Sequence, residues 1–356
     1  MTAARAVLAG VLAACGSRAA PDAQPAAPPR DARPADATVP DAVAAAAPLR
    51  FVVLSDLHLP NPKPETARII AAIVAMHPRF VAIVGDFTNG SDKRDNADPS
   101  WWTAVTEALA PLRAAKIPIL PIAGNHDSYF AKQRALYAKA FADLPSWTAP
   151  LEPHASGTGL AGAPFSYSVD LDGVHLALTH VVGGHLDPAV GKWLAGDLES
   201  AAKARLRIIL GHVPMTSING ARQRNDQLGK IAVAGHADLL VMGHEHLVWD
   251  EDVALPGGAL IRQIVAGSAN GFYNYSPSPD ARKRAHCKSI RDPKRHVPER
   301  CAMPHGGGAF ELARGRKDRM LEHALATFTV ISIDGTSVDA QPMTIDADGK
   351  PIPFYL

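Results

Sequence analysis

The chain has 356 residues, 47% of them hydrophobic and 20% charged, and a formal net charge of +1. That length and apolar content suffice to bury a substantial core in one large domain. The near-neutral balance excludes a global electrostatic attraction to nucleic acid or to an acidic partner and leaves only local charge to consider.

The N-terminus stands apart from the rest of the chain. Arg5 precedes a short apolar run, Ala6 to Ala14, too short to span a bilayer and of the kind expected in a cleaved signal. The segment Leu12-Ala13-Ala14-Cys15 resembles the lipobox of bacterial lipoprotein signal peptides. The resemblance implies a signal peptide over residues 1–14 and a lipid anchor on Cys15. The alternative is an alanine-rich start in a compositionally biased gene. Gly16 and Ser17 carry no aspartate retention signal, so the same analogy implies the outer membrane rather than the inner, with the protein facing the periplasm or the exterior. From Ser17 to Pro48 the composition is Ala, Pro, Asp and Arg with almost no large apolar residue. Such a segment buries too little surface to offset its ordering entropy, so residues 15–48 read as a disordered tether and 49–356 as the folded domain.

Within the domain, short apolar runs end repeatedly in metal-binding or acid/base residues. Phe51 to Ser55 leads into Asp56 and His58. A helix is expected over Glu65 to Met76, with Ile69, Ile70, Ile73, Val74 and Met76 on its buried stripe. Val81 to Gly85 leads into Asp86, with Asn89 three residues on. A second helix is expected over Trp101 to Leu112, burying Trp102, Val105, Leu109 and Leu112. Ile117 to Gly124 leads into Asn125, His126 and Asp127. Phe165 to Leu171 and Val174 to Thr179 read as further strands, followed by His180, His185 and a helix carrying Trp193, Leu194 and Leu198. Either histidine can line a pocket, although one near a strand end is more often structural. Ile208 to Gly211 leads into His212, and Leu239 to Gly243 into His244 and His246. Leu260 to Ala266 and Phe328 to Ile333 complete the strands.

Between those last two lies a segment of different character, about residues 271–319. It opens with Phe272, Tyr273 and Tyr275 and continues with Arg282, Lys283, Arg284, Lys288, Arg291, Lys294, Arg295 and Arg300. Aromatics beside cations suit a nucleotide or an extended phosphodiester, and the plainer alternative is a solvated basic insertion. Cys287 and Cys301 lie inside it without the spacing of a metal site. In an exported protein a disulfide between them closes a loop of about fifteen residues, worth about 3 kcal/mol on the chain-entropy model. Two unpaired thiols are the alternative.

Buried strands that run into polar residues place those residues at the carboxyl ends of a sheet, where α/β folds hold ligands. The converging set offers two carboxylates, one amide and four imidazoles, with His126 left over. These donor types suit Mn, Fe or Zn. Seven donors exceed what one tetrahedral ion takes but suit two ions about 3.5 to 4 Å apart that share a bridging carboxylate.

In order and spacing, Asp56-x-His58, Gly85-Asp86-x-x-Asn89, Gly124-Asn125-His126-Asp127, Gly211-His212 and Gly243-His244-x-His246 resemble the motif set of the calcineurin-like metallophosphoesterases. The resemblance covers about residues 49–270. It implies a four-layer α/β/β/α sandwich and a centre of two divalent or trivalent ions. Asp56, His58, Asp86 and His246 would hold one ion, and Asp86, Asn125, His212 and His244 the other. His126 would be the acid that protonates the leaving group, with Asn89 orienting it and Asp127 completing the catalytic motif. The implied reaction is hydrolysis of a phosphoester, monoester or diester, by a metal-bridging hydroxide. Asn89, where many relatives have a carboxylate and purple acid phosphatases a tyrosine, leans the resemblance toward cyclic-nucleotide phosphodiesterases. The partner implied is a phosphorylated small molecule, a nucleotide among the candidates. A non-catalytic metal lipoprotein that binds a phosphorylated ligand and a nuclease are the alternatives.

Overall fold

Alternation along the first strand, LRFVVL, sets the layering. In β1 (Leu49–Leu54), Leu49, Phe51 and Val53 join the apolar layer shared with a second sheet. Val52 and Leu54 pack instead with α1 (Pro64–Met76) and α2 (Pro99–Ala114). From Phe51 to Leu54 the strand is buried on both faces and continuously apolar, while the charged Arg50 near its start is exposed. The computed structural model describes residues 48–61, 64–215, 225–246, 248–255, 258–270 and 326–354. Apart from Pro48, the expected signal segment, Cys15, the tether, the basic segment 271–319 and the Cys287 and Cys301 pair lie outside these residues.

The first sheet continues from β1 into parallel neighbours β2 (Val81–Val84) and β3 (Ile119–Ile122). The second contains β4 (Tyr167–Leu171), β5 (Val174–Leu178), β6 (Leu206–Leu210), β7 (Leu239–Met242), β8 (Val248–Ala254) and β9 (Leu260–Ala266). Strands β10 (Phe328–Asp334), β11 (Ser337–Ile345) and β12 (Pro351–Pro353) return to the first sheet beside β1. The two orders are β12-β11-β10-β1-β2-β3 and β4-β5-β6-β7-β9-β8. Both sheets are mixed: β1 pairs antiparallel with β10, while β5, β6, β7 and β9 run parallel between the antiparallel edge strands β4 and β8.

On the second sheet the alternation repeats. Ile208, Leu210, Leu239 and Val241 face the first sheet, and Ile209, Leu240 and Met242 face outward. Those outward residues pack with Val190, Trp193, Leu194 and Leu198 of α5 (Pro188–Ser200) and with Leu228 and Ala232 of α6 (Asp226–Ala234). Helix, sheet, sheet, helix is the expected four-layer arrangement. The helices begin where local chemistry dictates: Asp98 accepts from Ser100 N at 2.8 Å, Asp187 from Ala189 N at 2.8 Å, and Asn225 from Leu228 N at 2.9 Å. Each cap satisfies an amide the helix cannot, and Pro99 and Pro188 sit where a missing N–H does no harm.

The expected boundaries shift by a few residues. Ile117 and Pro118 precede β3 and Ala123 follows it, because the chain turns before reaching the site. Phe165 and Ser166 form a turn in which both amides donate to Gly162 O, at 2.9 and 3.0 Å, so β4 starts at Tyr167. Beyond the expected elements come α3 (Ala131–Ala140), α4 (Leu144–Thr148), α6, β8, β11 and β12. None of the helices among the described residues is long and apolar enough to cross a membrane.

Candidate metal centre

Strands β1, β2 and β3 of one sheet and β6 and β7 of the other end at a common edge. The seven expected ligand residues follow these ends within a few positions. The turns that carry them are laced together by backbone hydrogen bonds: Asp56 N to Gly85 O at 3.0 Å, His58 N to Asp86 O at 3.0 Å, and Gly243 N to His212 O at 2.8 Å. Side chains extend the lacing, with His126 N donating to Asp86 Oδ1 at 2.9 Å and His244 N to Asp56 Oδ2 at 3.0 Å. Gly243 is required here for closeness. A Cβ on it would overlap Ser55 Oγ and the Val84 carbonyl, across the junction of the two sheets.

Five of these residues pay for their placement with backbone strain. Asp56 (φ 58°), His58 (49°), Asp86 (55°), His244 (71°) and His246 (54°) are left-handed, and they make up five of the nine non-glycine residues with positive φ among those described. Each such conformation costs about 1 to 3 kcal/mol and persists only where the surroundings enforce it. Concentration of this strain in one set of residues marks the edge as functional rather than structural.

The donor atoms converge in two groups that share Asp86. One oxygen or nitrogen from each of Asp56, His58, Asp86 and His246 lies within 4.8 Å of the others, and Asp86, His212 and His244 form a second such group. Asn125 belongs with the second: its Oδ1 lies 2.8 Å from His212 Nε2 and 2.9 Å from His244 Nδ1. Two donors bound to one cation at about 2.1 Å stand about 3.0 to 3.4 Å apart. The observed separations include His58 Nε2 to His246 Nε2 at 3.1 Å, His246 Nε2 to Asp56 Oδ1 at 3.1 Å and His212 Nε2 to Asp86 Oδ2 at 3.2 Å. Asp56 Oδ1 and Asp86 Oδ2 are buried without a hydrogen-bond partner among the described residues. A buried carboxylate oxygen left so is costly unless a cation satisfies it. The residues present therefore fit a pair of metal ions.

Outer contacts fix the rings for that purpose. His212 Nδ1 lies 2.7 Å from Val84 O; a carbonyl only accepts, so Nδ1 carries the proton and Nε2 keeps its lone pair for the centre. His58 is held likewise by Asn89, whose Nδ2 donates to His58 O at 2.8 Å, so its Oδ1 faces His58 Nδ1 at 3.1 Å. The electrostatics agree. Burial would raise the Asp56 and Asp86 carboxyls, yet His246 and His212 respectively carry them well below the usual range. Burial would lower His212, but Asp86 at its Nε2 pushes it up to about 9. Burial, with the His212 charge beside it, drives His244 down to about 3. A pocket with two ionised carboxylates demands cationic charge, which a protonated His212 supplies in part and which a metal ion would supply by displacing that proton.

Two of the expected catalytic residues make contacts other than those expected. Asn89 holds His58, not His126, because its amide is engaged at both ends by that residue. His126 instead presents Nδ1 to the carbonyl of Gly90, with Nε2 3.8 Å from Asp86 Oδ2. Asp127 faces away from the donors: Oδ2 accepts from Phe87 N at 3.1 Å and Gly124 N at 3.0 Å, and Oδ1 from Thr88 N at 3.0 Å and Thr88 Oγ1 at 2.9 Å. It ties the turn after β2 to the turn after β3, and its carboxyl is raised by burial and by Asp86. His180 is buried against Phe165, 3.2 Å from Ser128 Oγ, and burial lowers it to about 4, so it takes the structural reading. Tyr129 escaped the sequence reading altogether. It stands against both Asn125 and His126, and its only signal was an aromatic two residues past the Asn-His-Asp motif.

Comparison with known proteins bears on these facts. The model of the family described as calcineurin-like phosphoesterase matches residues 49–248, more than half of the chain. The structure of purple acid phosphatase PPD1 from yellow lupin (Lupinus luteus) seeds aligns with a TM-score of 0.54 at 12% identity, covering 86% of this chain and 53% of that one. The structure of PhoD aligns with a TM-score of 0.55 at 11% identity, covering 89% of this chain and 69% of that one. At such identities the likeness is one of fold, and this chain spans about half the length of the lupin protein. No curated protein matches the chain.

Proposed function

The chain belongs to the calcineurin-like phosphoesterase family, a family of metal-dependent phosphoester hydrolases, and from that premise we propose that it hydrolyses a phosphorylated small molecule, a diester in preference to a monoester, at a centre of two metal ions. The observation that carries the reading is the pair of buried oxygens, Asp56 Oδ1 and Asp86 Oδ2, which face imidazole nitrogens at 3.1 and 3.2 Å and have no hydrogen-bond partner among the described residues. Asp56, His58 and His246 would hold one ion and Asn125, His212 and His244 the other, with Asp86 common to both groups. Carboxylate, amide and imidazole donors without thiolate favour Mn, Fe or Zn. When bound, two such ions supply a hydroxide near neutral pH and neutralise charge on the phosphoryl oxygens.

The chain's own residues do the rest. Asp86 keeps both donor groups in register through its second oxygen, which accepts from His126 N. His126, its Nδ1 proton committed to Gly90 O, is left with Nε2 facing the centre, where a second proton can pass to the departing oxygen. Asn89 and Val84 O hold His58 and His212 in the ligating tautomer. Asp127 keeps the His126 turn against the Asp86 turn. A nucleotide is among the candidate substrates in this reading, the aromatic and basic residues of segment 271–319 being of the kind that suit one. Attachment to the bacterial cell envelope through Cys15, toward the periplasm or exterior, belongs to the same proposal.

The test is hydrolysis of an aryl phosphomonoester and an aryl phosphodiester by the full chain loaded with Mn, beside Asp86→Ala. Turnover that disappears together with bound metal in the variant is the expected result. Failure of wild type to cleave either ester, with metal bound, argues for a binding protein instead.

A further inference from the structure

Against the seven converging side chains stands an aromatic ring that the proposed reaction does not use. Tyr129 falls between the Asn125-His126-Asp127 turn and α3 and is 38% exposed. Among the described residues the other exposed large apolar side chains are Val233, on α6, and Leu260, which opens β9. Single exposed apolar residues of that sort need no explanation. Tyr129 differs because it is fixed from two sides. Its hydroxyl accepts a hydrogen bond from Asn125 Nδ2, which also turns Asn125 Oδ1 toward His212 and His244. Its ring meets the His126 ring edge to face, centroids 5.4 Å apart at 71°.

His126 in turn meets His58 edge to face, at 5.0 Å and 82°. The three rings thus form a row that starts among the metal-binding side chains and ends at solvent in Tyr129. An oxygen protonated at His126 Nε2 must approach the middle of that row. Whatever is attached to that oxygen then extends outward, and the apolar surface it meets beside His126 is the ring of Tyr129. A rigid, pre-placed aromatic surface binds a planar group at little entropic cost and gains little from an alkyl chain.

Resting on the reading of His126 as the proton donor, we infer that Tyr129 is a specificity-determining residue that selects phosphoesters with a planar aromatic leaving group, aryl or nucleobase-bearing. The ring discriminates, and the hydroxyl places it.

Two non-hydrolysable probes separate this inference from the reaction itself. Phenylphosphonate and methylphosphonate share the phosphoryl part and differ in the planar group. Their binding to the Mn-loaded full chain is measured by calorimetry for wild type, Tyr129→Ala and Tyr129→Phe, with metal content determined for each. The expected result is a fall of about tenfold in the ratio of phenyl to methyl affinity in Tyr129→Ala. In Tyr129→Phe, which keeps the ring, that ratio stays within about twofold of wild type. Parallel weakening of both probes in Tyr129→Ala, or an unchanged ratio, overturns the inference while leaving the phosphoesterase reading intact. Wild type that binds metal but neither phosphonate overturns the inference, while the phosphoesterase reading stands or falls separately on the hydrolysis of the two aryl esters.

Discussion

At the residue scale, the site separates donor atoms that converge in two groups from atoms that hold those donors in place. His126 belongs to neither set: its Nδ1 is occupied by Gly90 O and its Nε2 is near Asp86 without being part of either donor group. Replacing it with Ala should lower the hydrolysis rate by about 10² to 10⁴ fold, the range for a lost general acid. Metal content should not change, and measuring both on one preparation checks the assignment. Asp127 poses the opposite case. An asparagine in its place would offer one acceptor oxygen, against four donors now satisfied. Asp127→Asn should therefore cost about 2 to 3 kcal/mol in denaturant unfolding and weaken metal binding through the displaced turn. An unchanged midpoint would mean the turns do not depend on this carboxylate.

At the element scale, one ion-pair cluster far along the strands from the metal edge joins three elements. His175 of β5 has Nδ1 2.8 Å from Asp170 Oδ1 of β4 and Nε2 2.9 Å from Asp197 Oδ2 of α5. Both ring nitrogens face acceptors, so the cation is the form that satisfies the arrangement. Burial alone would lower His175, but the Asp197 and Asp170 carboxylates outweigh it and raise it above its ordinary value. A histidine raised in the folded state contributes stability that is fully present below its unfolded value, about 6.5, and is lost as pH rises through the folded value. His175→Gln should therefore destabilise by about 2 kcal/mol at pH 6. The loss should be smaller at pH 9, and urea unfolding at the two values checks the sign.

At the scale of the whole molecule, two sheets are pressed together at an edge that concentrates strained turns and buried carboxylates. Left-handed backbone at Asp56, His58, Asp86, His244 and His246 and the buried Asp56 Oδ1 and Asp86 Oδ2, which lack a hydrogen-bond partner among the described residues, all burden the folded state. Metal binding relieves the second of these directly. Mn at about 100 times its dissociation constant should stabilise the protein by about 2.7 kcal/mol, and chelator should reverse the gain. A melting temperature indifferent to both would remove the centre from the account of stability. The layered core is an independent reserve, since the inter-sheet cluster from Phe51 through Ile333 contains none of the site's ligands.

What the sequence determined by itself was local. Continuous apolar runs specify strands buried on both faces, and the 3.6-residue stripe of Trp102, Val105, Leu109 and Leu112 specifies a helix. The candidate ligands were legible as a converging set because each sits at a strand end, a position readable within a few residues. What only the tertiary structure decided was pairing across distance. Nothing near Asn89 says that its amide meets His58 rather than His126, nothing near Asp127 says that it turns toward Phe87 and Thr88, and nothing near Tyr129 says that its ring lies on His126. The marginally patterned α3, and β11, whose first half is largely exposed, also needed their neighbours to be recognised. Side-chain partners are chosen by the relative placement of turns brought together from separate strands, and that placement is fixed by how two sheets pack, not by any local run of residues.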